Sequence, residues 1–200
     1  VTCLSETSWF DTGLLMSDIK QAGGMNTDQY SINWDYKNAG GYSALVEYTK
    51  NYQKGYVLLD VGWRESYMDW VFDREGIIEL LKNDKLNDVF ISHEHMDHFW
   101  GLNSITKIRN DFNLYIPVGF SKKGYEIIEK SNFKGNLIEV DDKFQNDALS
   151  SFVYKMDIIL GVKNEQILVF NLKGKGFVTI TGCCHPGVNN MMDYVKNHYG

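Results

Sequence analysis

Three of the five histidines in this 200-residue chain fall within six residues, His93-Glu94-His95-Met96-Asp97-His98. Neutral imidazole and carboxylate are preferred ligands of zinc, and they also accept iron, manganese or cobalt. His93 and His95, two apart, can point at one ion. Asp97 and His98, adjacent on a turn, can reach a second. Two ions roughly 3.5–4 Å apart can share a water and ionise it near neutral pH, giving a hydroxide nucleophile and Lewis-acid stabilisation together. Structural zinc is usually thiolate-rich and closed, and this window holds no cysteine.

A rigid element must deliver such a motif. Val89-Phe90-Ile91-Ser92 reads as a short buried strand that presents it at the carboxyl end, where open α/β sheets place their ligands. Upstream, Thr2 to Leu4 opens a first strand and Tyr42 to Thr49 forms another. Tyr56 to Val61 is a continuous apolar run that suits a strand buried on both faces. Asp73 is expected to cap a helix carrying Ile77, Ile78 and Leu81. Leu102, Ile105 and Ile108 mark a helical face. Tyr115 to Val118 is a strand, and Ser121 caps a helix through Ile127 and Ile128. Leu137–Val140, Phe152–Leu160, Gln166–Leu172 and Phe177–Thr181 read as four more strands. A last helix after Pro186 presents Val188, Met191, Met192 and Val195. Strands mixed with helices in this order predict an α/β layered sandwich, one domain over residues 1–200. Residues 9–41 read as a long irregular loop, punctuated by Gly13, Gly23, Gly24, Gly40 and Gly41. Its rings, Trp9, Phe10, Tyr30, Trp34 and Tyr36, either anchor it to the core or form an aromatic lid over a pocket.

Composition narrows the function. Net charge is −6, and only Arg64, Arg74 and Arg109 carry guanidinium groups, which argues against nucleic acid as partner. No apolar run approaches the roughly 18 residues of a membrane helix. Three cysteines, two of them adjacent (Cys183, Cys184), do not make a disulfide framework. They point to a reducing, cytoplasmic setting. The first residue is Val1 and not Met, so a trimmed start is expected.

The motif and its flanks resemble the metallo-β-lactamase superfamily, whose hallmark is H-x-H-x-D-H after a short apolar strand. Leu58-Leu59-Asp60-Val61-Gly62 is similar to its companion L-x-D-x-G strand end, and ISHEHMDHFWGL to its SH-x-H-x-DH-x-GGL stretch. VTITGCCHPGVNN resembles the T-G-C-x-H segment of the dihydropterin–ribofuranosylaminobenzene phosphate synthase-like branch, and DDKFQNDALSS the acidic stretch that precedes it there. The likeness spans about residues 41 to 198. It implies an αββα four-layer sandwich with a mono- or dinuclear metal site at one edge of two sheets. It also implies that His93, His95, Asp97, His98 and His185 are metal ligands, and that Asp60 supports the ligand loop by fixing an imidazole N–H. Cys183 takes the place of the bridging aspartate of many members. If residues 178–185 are extended, Thr181, Cys183 and His185 share a face, and Cys183 is either a thiolate ligand or a small buried residue. Cys184 faces the other way, into the core.

The chain departs from the pattern in two ways. No histidine lies between His98 and His185, and the last histidine, His198, reads as solvent-facing in the final helix. Asp141, Asp142 and Asp147 are either further oxygen donors or acidic surface turns. The expectation is therefore a shortened form, half of a split enzyme, or one whose site a homo-oligomer or partner chain completes. The function expected is a metal-dependent hydrolase, with one or two zinc ions and Asp97 as ligand and proton acceptor. It would direct a metal-bound hydroxide at an ester, amide or phosphoester of a small molecule. The alternatives are a pterin-linked transferase of the branch named above, and a non-catalytic metal-binding subunit with an incomplete site.

Overall fold

The computed structural model describes residues 1–6, 12–34 and 39–199. Two sheets face each other. The first runs β1 (Thr2–Ser5), β2 (Ser43–Lys50), β3 (Gln53–Leu59), β4 (Leu86–Phe90), β5 (Asn113–Pro117) and β6 (Asn136–Val140) in spatial order. β1, β2 and β3 pair antiparallel; β3 to β6 are parallel. Parallel neighbours need crossovers, and helices supply them. These are α2 (Glu65–Arg74) and α3 (Ile77–Lys82), the short α4 (Met96–Phe99) and α5 (Asn103–Thr106), and α6 (Lys122–Lys130). The second sheet is antiparallel, in the order β10 (Gly176–Ile180), β9 (Lys163–Leu172), β8 (Ser150–Asp157), β7 (Lys143–Gln145).

Alternation along the strands sorts side chains into three apolar layers. In β3, Val57 and Leu59 face the second sheet together with Phe90 of β4, and there they meet Val153, Leu168 and Phe170. Leu58 faces the other way, with Val89, Ile91 and Leu114, onto Met68, Phe72, Leu81 and Ile128 of the helices. Outside the second sheet, Phe152, Ile167 and Val169 pack on Met191 and Val195 of α7 (Val188–Tyr199). The result is the expected αββα sandwich. Among the described residues no helix is long and apolar enough to cross a membrane.

Several local expectations are corrected. Residues 9–41 are not all irregular: α1 (Thr12–Gln21) lies within them. Leu15, Ile19 and Ala22, spaced i, i+4, i+7, pack it on Trp34, Trp63 and Met96. Asp73 caps nothing; it is inside α2, and Gly76 with φ 75° precedes α3. The strand expected to reach Leu160 ends at Asp157, because Leu160 has φ 60° and closes a 3-10 turn. Ser121 does cap α6, its hydroxyl accepting from Gly124 N–H. Trp9, Phe10 and Tyr36 lie outside the described residues. Tyr30 and Trp34 take the anchoring role: Tyr30 stacks on Trp100, and Trp34 meets Trp63 edge-on.

Candidate metal centre

β4 ends at Phe90, and the chain turns through Ser92 to His98 with every side chain of that stretch buried. Main-chain bonds pin this turn. Asp60 N–H donates to Phe90 O, Val61 N–H to His98 O, and Tyr42 N–H to Asp97 O. Gln29 clamps the backbone on both sides of His95, donating to Glu94 O at 2.9 Å and accepting from Met96 N–H at 2.9 Å. Glu94 points away from its histidine neighbours, toward Tyr30 Oη at 2.6 Å and the N–H of Ser121 at 2.6 Å.

Each of the four clustered imidazoles has one nitrogen committed outward. His93 Nδ1 meets Ser92 Oγ at 2.8 Å, and His95 Nε2 donates to Ile159 O at 3.0 Å. His98 Nδ1 donates to Asp60 Oδ2 at 2.7 Å, and His185 Nδ1 to Glu165 Oε2 at 3.0 Å. These partners assign the tautomers. The remaining nitrogens turn inward. His93, His95 and His185 present ligand atoms all within 4.8 Å of one another, and so do His93, His98 and Cys183. His93 Nε2 and His95 Nδ1 are 3.0 Å apart. With their outer nitrogens protonated, both carry lone pairs, and lone pairs this close repel unless a cation sits between them. The imidazole and cysteine sulfur donors, with the outer N–H groups fixed, fit a zinc-like divalent ion.

The electrostatics agree for His93 and His95. Burial holds His93 well below the ordinary imidazole value, and the charges of His98, His95 and His185 add to that. Burial pushes His95 down to about 4, against the pull of Asp97 and the Ile159 carbonyl. Neutral imidazole is the form a metal binds. Burial also opposes charge on His98, yet Asp97 and Asp60 together lift it well above the ordinary range. Burial favours a protonated Asp60 as well. Three donors, Ser92 N–H, Ser92 Oγ and His98 Nδ1, converge on Asp60 and favour its carboxylate, so the shared proton sits on His98. Burial would raise Glu165, but His185 and the Cys184 N–H outweigh it and hold the carboxyl below its usual range.

The structure thus brings together His93, His95, His98, His185 and Cys183, with Asp60 behind His98. Asp97 Oδ2 lies 3.8 Å from His98 Nε2. Residues 178–185 are not extended throughout: β10 stops at Ile180 and Cys184 has φ 59°. Cys183 Sγ nevertheless reaches 3.1 Å from His98 Nε2, and Cys184 packs against the core beneath α7. His185 fills the place beside His93 and His95 that no histidine between His98 and His185 supplies. Asp141, Asp142 and Asp147 are surface acids, paired with Lys155, Tyr194 and Lys50. His198 is exposed on α7. Sequence reasoning missed Glu165, Gln29 and Glu94. The only local signal for Glu165 was an acid heading an apolar run.

Three solved structures illustrate what the chain is similar to. A HARLDQ-motif mutant metallo-beta-lactamase from Cronobacter sakazakii shares 11% identity, with a TM-score of 0.47 over 74% of this chain and 62% of that one. The metallo-beta-lactamase fold protein YhfI from Bacillus subtilis shares 14%, with 0.49 over 74% and 57%. Native FEZ-1 metallo-beta-lactamase from Legionella gormanii shares 15%, with 0.44 over 74% and 62%. The chain spans less than two thirds of the length of each. No curated protein matches it. The sequence model of the metallo-beta-lactamase superfamily matches residues 38–197, and the chain belongs to that superfamily.

Proposed function

We propose that this chain is a metal-dependent hydrolase acting on an ester, amide or phosphoester of a small molecule. The observation that carries the reading is the orientation of the four imidazoles: every outer nitrogen is held by a partner, and every inner one faces the cluster. His93, His95 and His185 would hold one zinc ion. His98, Cys183 and Asp97 would hold a second, beside His93. Bound there, zinc supplies Lewis acidity and an acidified water.

The chain's own residues do the rest. Asp60 keeps His98 oriented, so its Nε2 faces the cluster. The Ile159 carbonyl holds His95 Nε2 and leaves Nδ1 to face the cluster. Asp97, nearly buried and close to His98, is placed to accept a proton at its carboxylate. The Tyr42 ring lies 5.6 Å from His98, and burial with the charge of Asp60 pushes its hydroxyl up to about 12.

Elemental analysis of protein purified without added metal or chelator should give two zinc equivalents per chain. Asp97→Ala should abolish turnover across an ester, lactone and phosphodiester panel while the circular dichroism spectrum is unchanged. Retained turnover would remove Asp97 from the reaction, and absence of any bound metal would overturn the hydrolase reading.

A further inference from the structure

Glu165 stands in β9 with no exposed surface, and it accepts four hydrogen bonds from one short turn. Its Oε1 takes the Thr181 hydroxyl at 2.9 Å and the Cys184 N–H at 2.8 Å. Its Oε2 takes the His185 N–H at 2.8 Å and His185 Nδ1 at 3.0 Å. A carboxylate offers about four lone-pair sites, so the turn saturates it. The turn needs such a clamp. It follows the end of β10, and Cys184 sits at φ 59°, a conformation that non-glycine residues keep only where their surroundings fix it.

We infer that Glu165 is a positioning residue that makes the segment 181–185 a ligand arm. Oε2 grips the backbone and the ring of the same residue, so it fixes both where His185 stands and which of its nitrogens faces inward. With Nδ1–H committed to Glu165, Nε2 is left to face His93 and His95, whose rings lie 4.7 and 5.3 Å away. Oε1 meanwhile holds Cys184 N–H, which sets the peptide adjoining Cys183 and keeps Cys183 Sγ beside His98. One buried acid on the second sheet thus aligns both donors of this turn with the histidines of the first. The inference rests on the metal-centre reading above.

The test is a zinc titration of the full chain against a chromophoric chelator, for the wild type, Glu165→Gln, His185→Ala and the double variant. Glu165→Gln should weaken the tightest zinc site about 10- to 100-fold. In the His185→Ala background it should cost that site nothing more, because Glu165 acts on it through His185. Wild-type affinity in Glu165→Gln, or an additive loss at the site of His93 and His95 in the double variant, would overturn the inference. A second measurement needs no variant to fold. In the metal-free wild type at pH 8, ring 15N–1H correlations should show His185 protonated at Nδ1 and bare at Nε2. The opposite tautomer would overturn the inference. Failure of the wild type to bind zinc would overturn the metal-centre reading instead, and the ring tautomer would still report on Glu165.

Discussion

Asp60 Oδ2 and His98 Nδ1 stand 2.7 Å apart, both fully enclosed. Asp60 reaches that position from a left-handed backbone, φ 61°, directly after β3. Its carboxylate also accepts from Ser92 N–H and Ser92 Oγ, so it ties the end of β3 to the root of the ligand loop. Removing one partner of a buried, hydrogen-bonded charge pair strands the other.

Asp60→Ala should therefore destabilise the metal-free protein by about 3–5 kcal/mol in urea denaturation. Asp60→Asn is the gentler probe, because Asn tolerates the left-handed region. Burial then works on His98 with less opposition, and its orientation loosens. Zinc affinity should fall about 10- to 100-fold. Unchanged affinity in Asp60→Asn would show that His98 needs no carboxylate behind it.

Gly182 lies against this same pair. A Cβ there would overlap Ser92 Oγ and come within 3.1 Å of Asp60 Oδ2. Gly182→Ala should push the turn off the ligand loop, costing about 1–3 kcal/mol of stability, the usual range for overpacking, and weakening zinc binding as well. Gly174→Ala is the control. It has φ 73° and open space around it, so it should show only backbone strain and wild-type zinc affinity. Equal zinc affinities in the two variants would count against the packing argument.

The parts of the centre readable in the sequence were those encoded locally. His93, His95, Asp97 and His98 share one window, and the strand before them announces itself by a run of apolar residues. β3 was legible because Val57, Leu58 and Leu59 are apolar on both faces, as a strand between two layers must be. The final helix was legible from the spacing of Met191 and Val195. The long-range partners were not. Glu165 meets His185 from 20 residues away, and Tyr30 meets Glu94 from 64. Hydrogen bonds at such separations leave no periodic trace. α1 was hidden by Gly13 in its first turn and by Gly23 and Gly24 just after its end, although Leu15, Ile19 and Ala22 carried helical spacing. Cys183 came to His98 by a route the strand pattern did not contain, through the left-handed Cys184.

Metal removal should be visible in the melting temperature. A ligand that binds only the folded state, present at 1,000 times its Kd, adds about 4 kcal/mol. At about 2–4 °C per kcal/mol for a chain of this size, that corresponds to a drop of roughly 8–16 °C on stripping with a strong chelator. Zinc should restore the loss and magnesium should not, because the donors are nitrogen and sulfur as well as oxygen. A calorimetric scan that does not move on chelation would mean that no tightly held ion contributes to the fold.

Gln166 closes the seam between the sheets just behind the ligand loop. It is fully buried. Its Nε2 donates to Ile91 O and, at 3.0 Å, to Tyr115 O, while its Oε1 accepts from Ser151 Oγ at 2.8 Å. Its backbone N–H donates to Ser92 O at 2.8 Å. The amide therefore meets two carbonyls of the first sheet and one hydroxyl of the second, a match no apolar side chain can reproduce. Gln166→Leu preserves bulk but takes these bonds from Ile91 O and Ser151 Oγ and leaves Tyr115 O only the Ile91 N–H; each buried group left without a partner costs about 1–3 kcal/mol if no water enters. Partial relaxation should bring the net loss to about 2–4 kcal/mol, read as a lower urea midpoint at unchanged m-value. The seam itself should open more often, so amide hydrogen exchange at Gln166 and Ile91 should accelerate more than at Val195 on α7. Uniform acceleration across all three amides would mean that Gln166 adds only to global stability and does not hold the two sheets together at the root of the ligand loop.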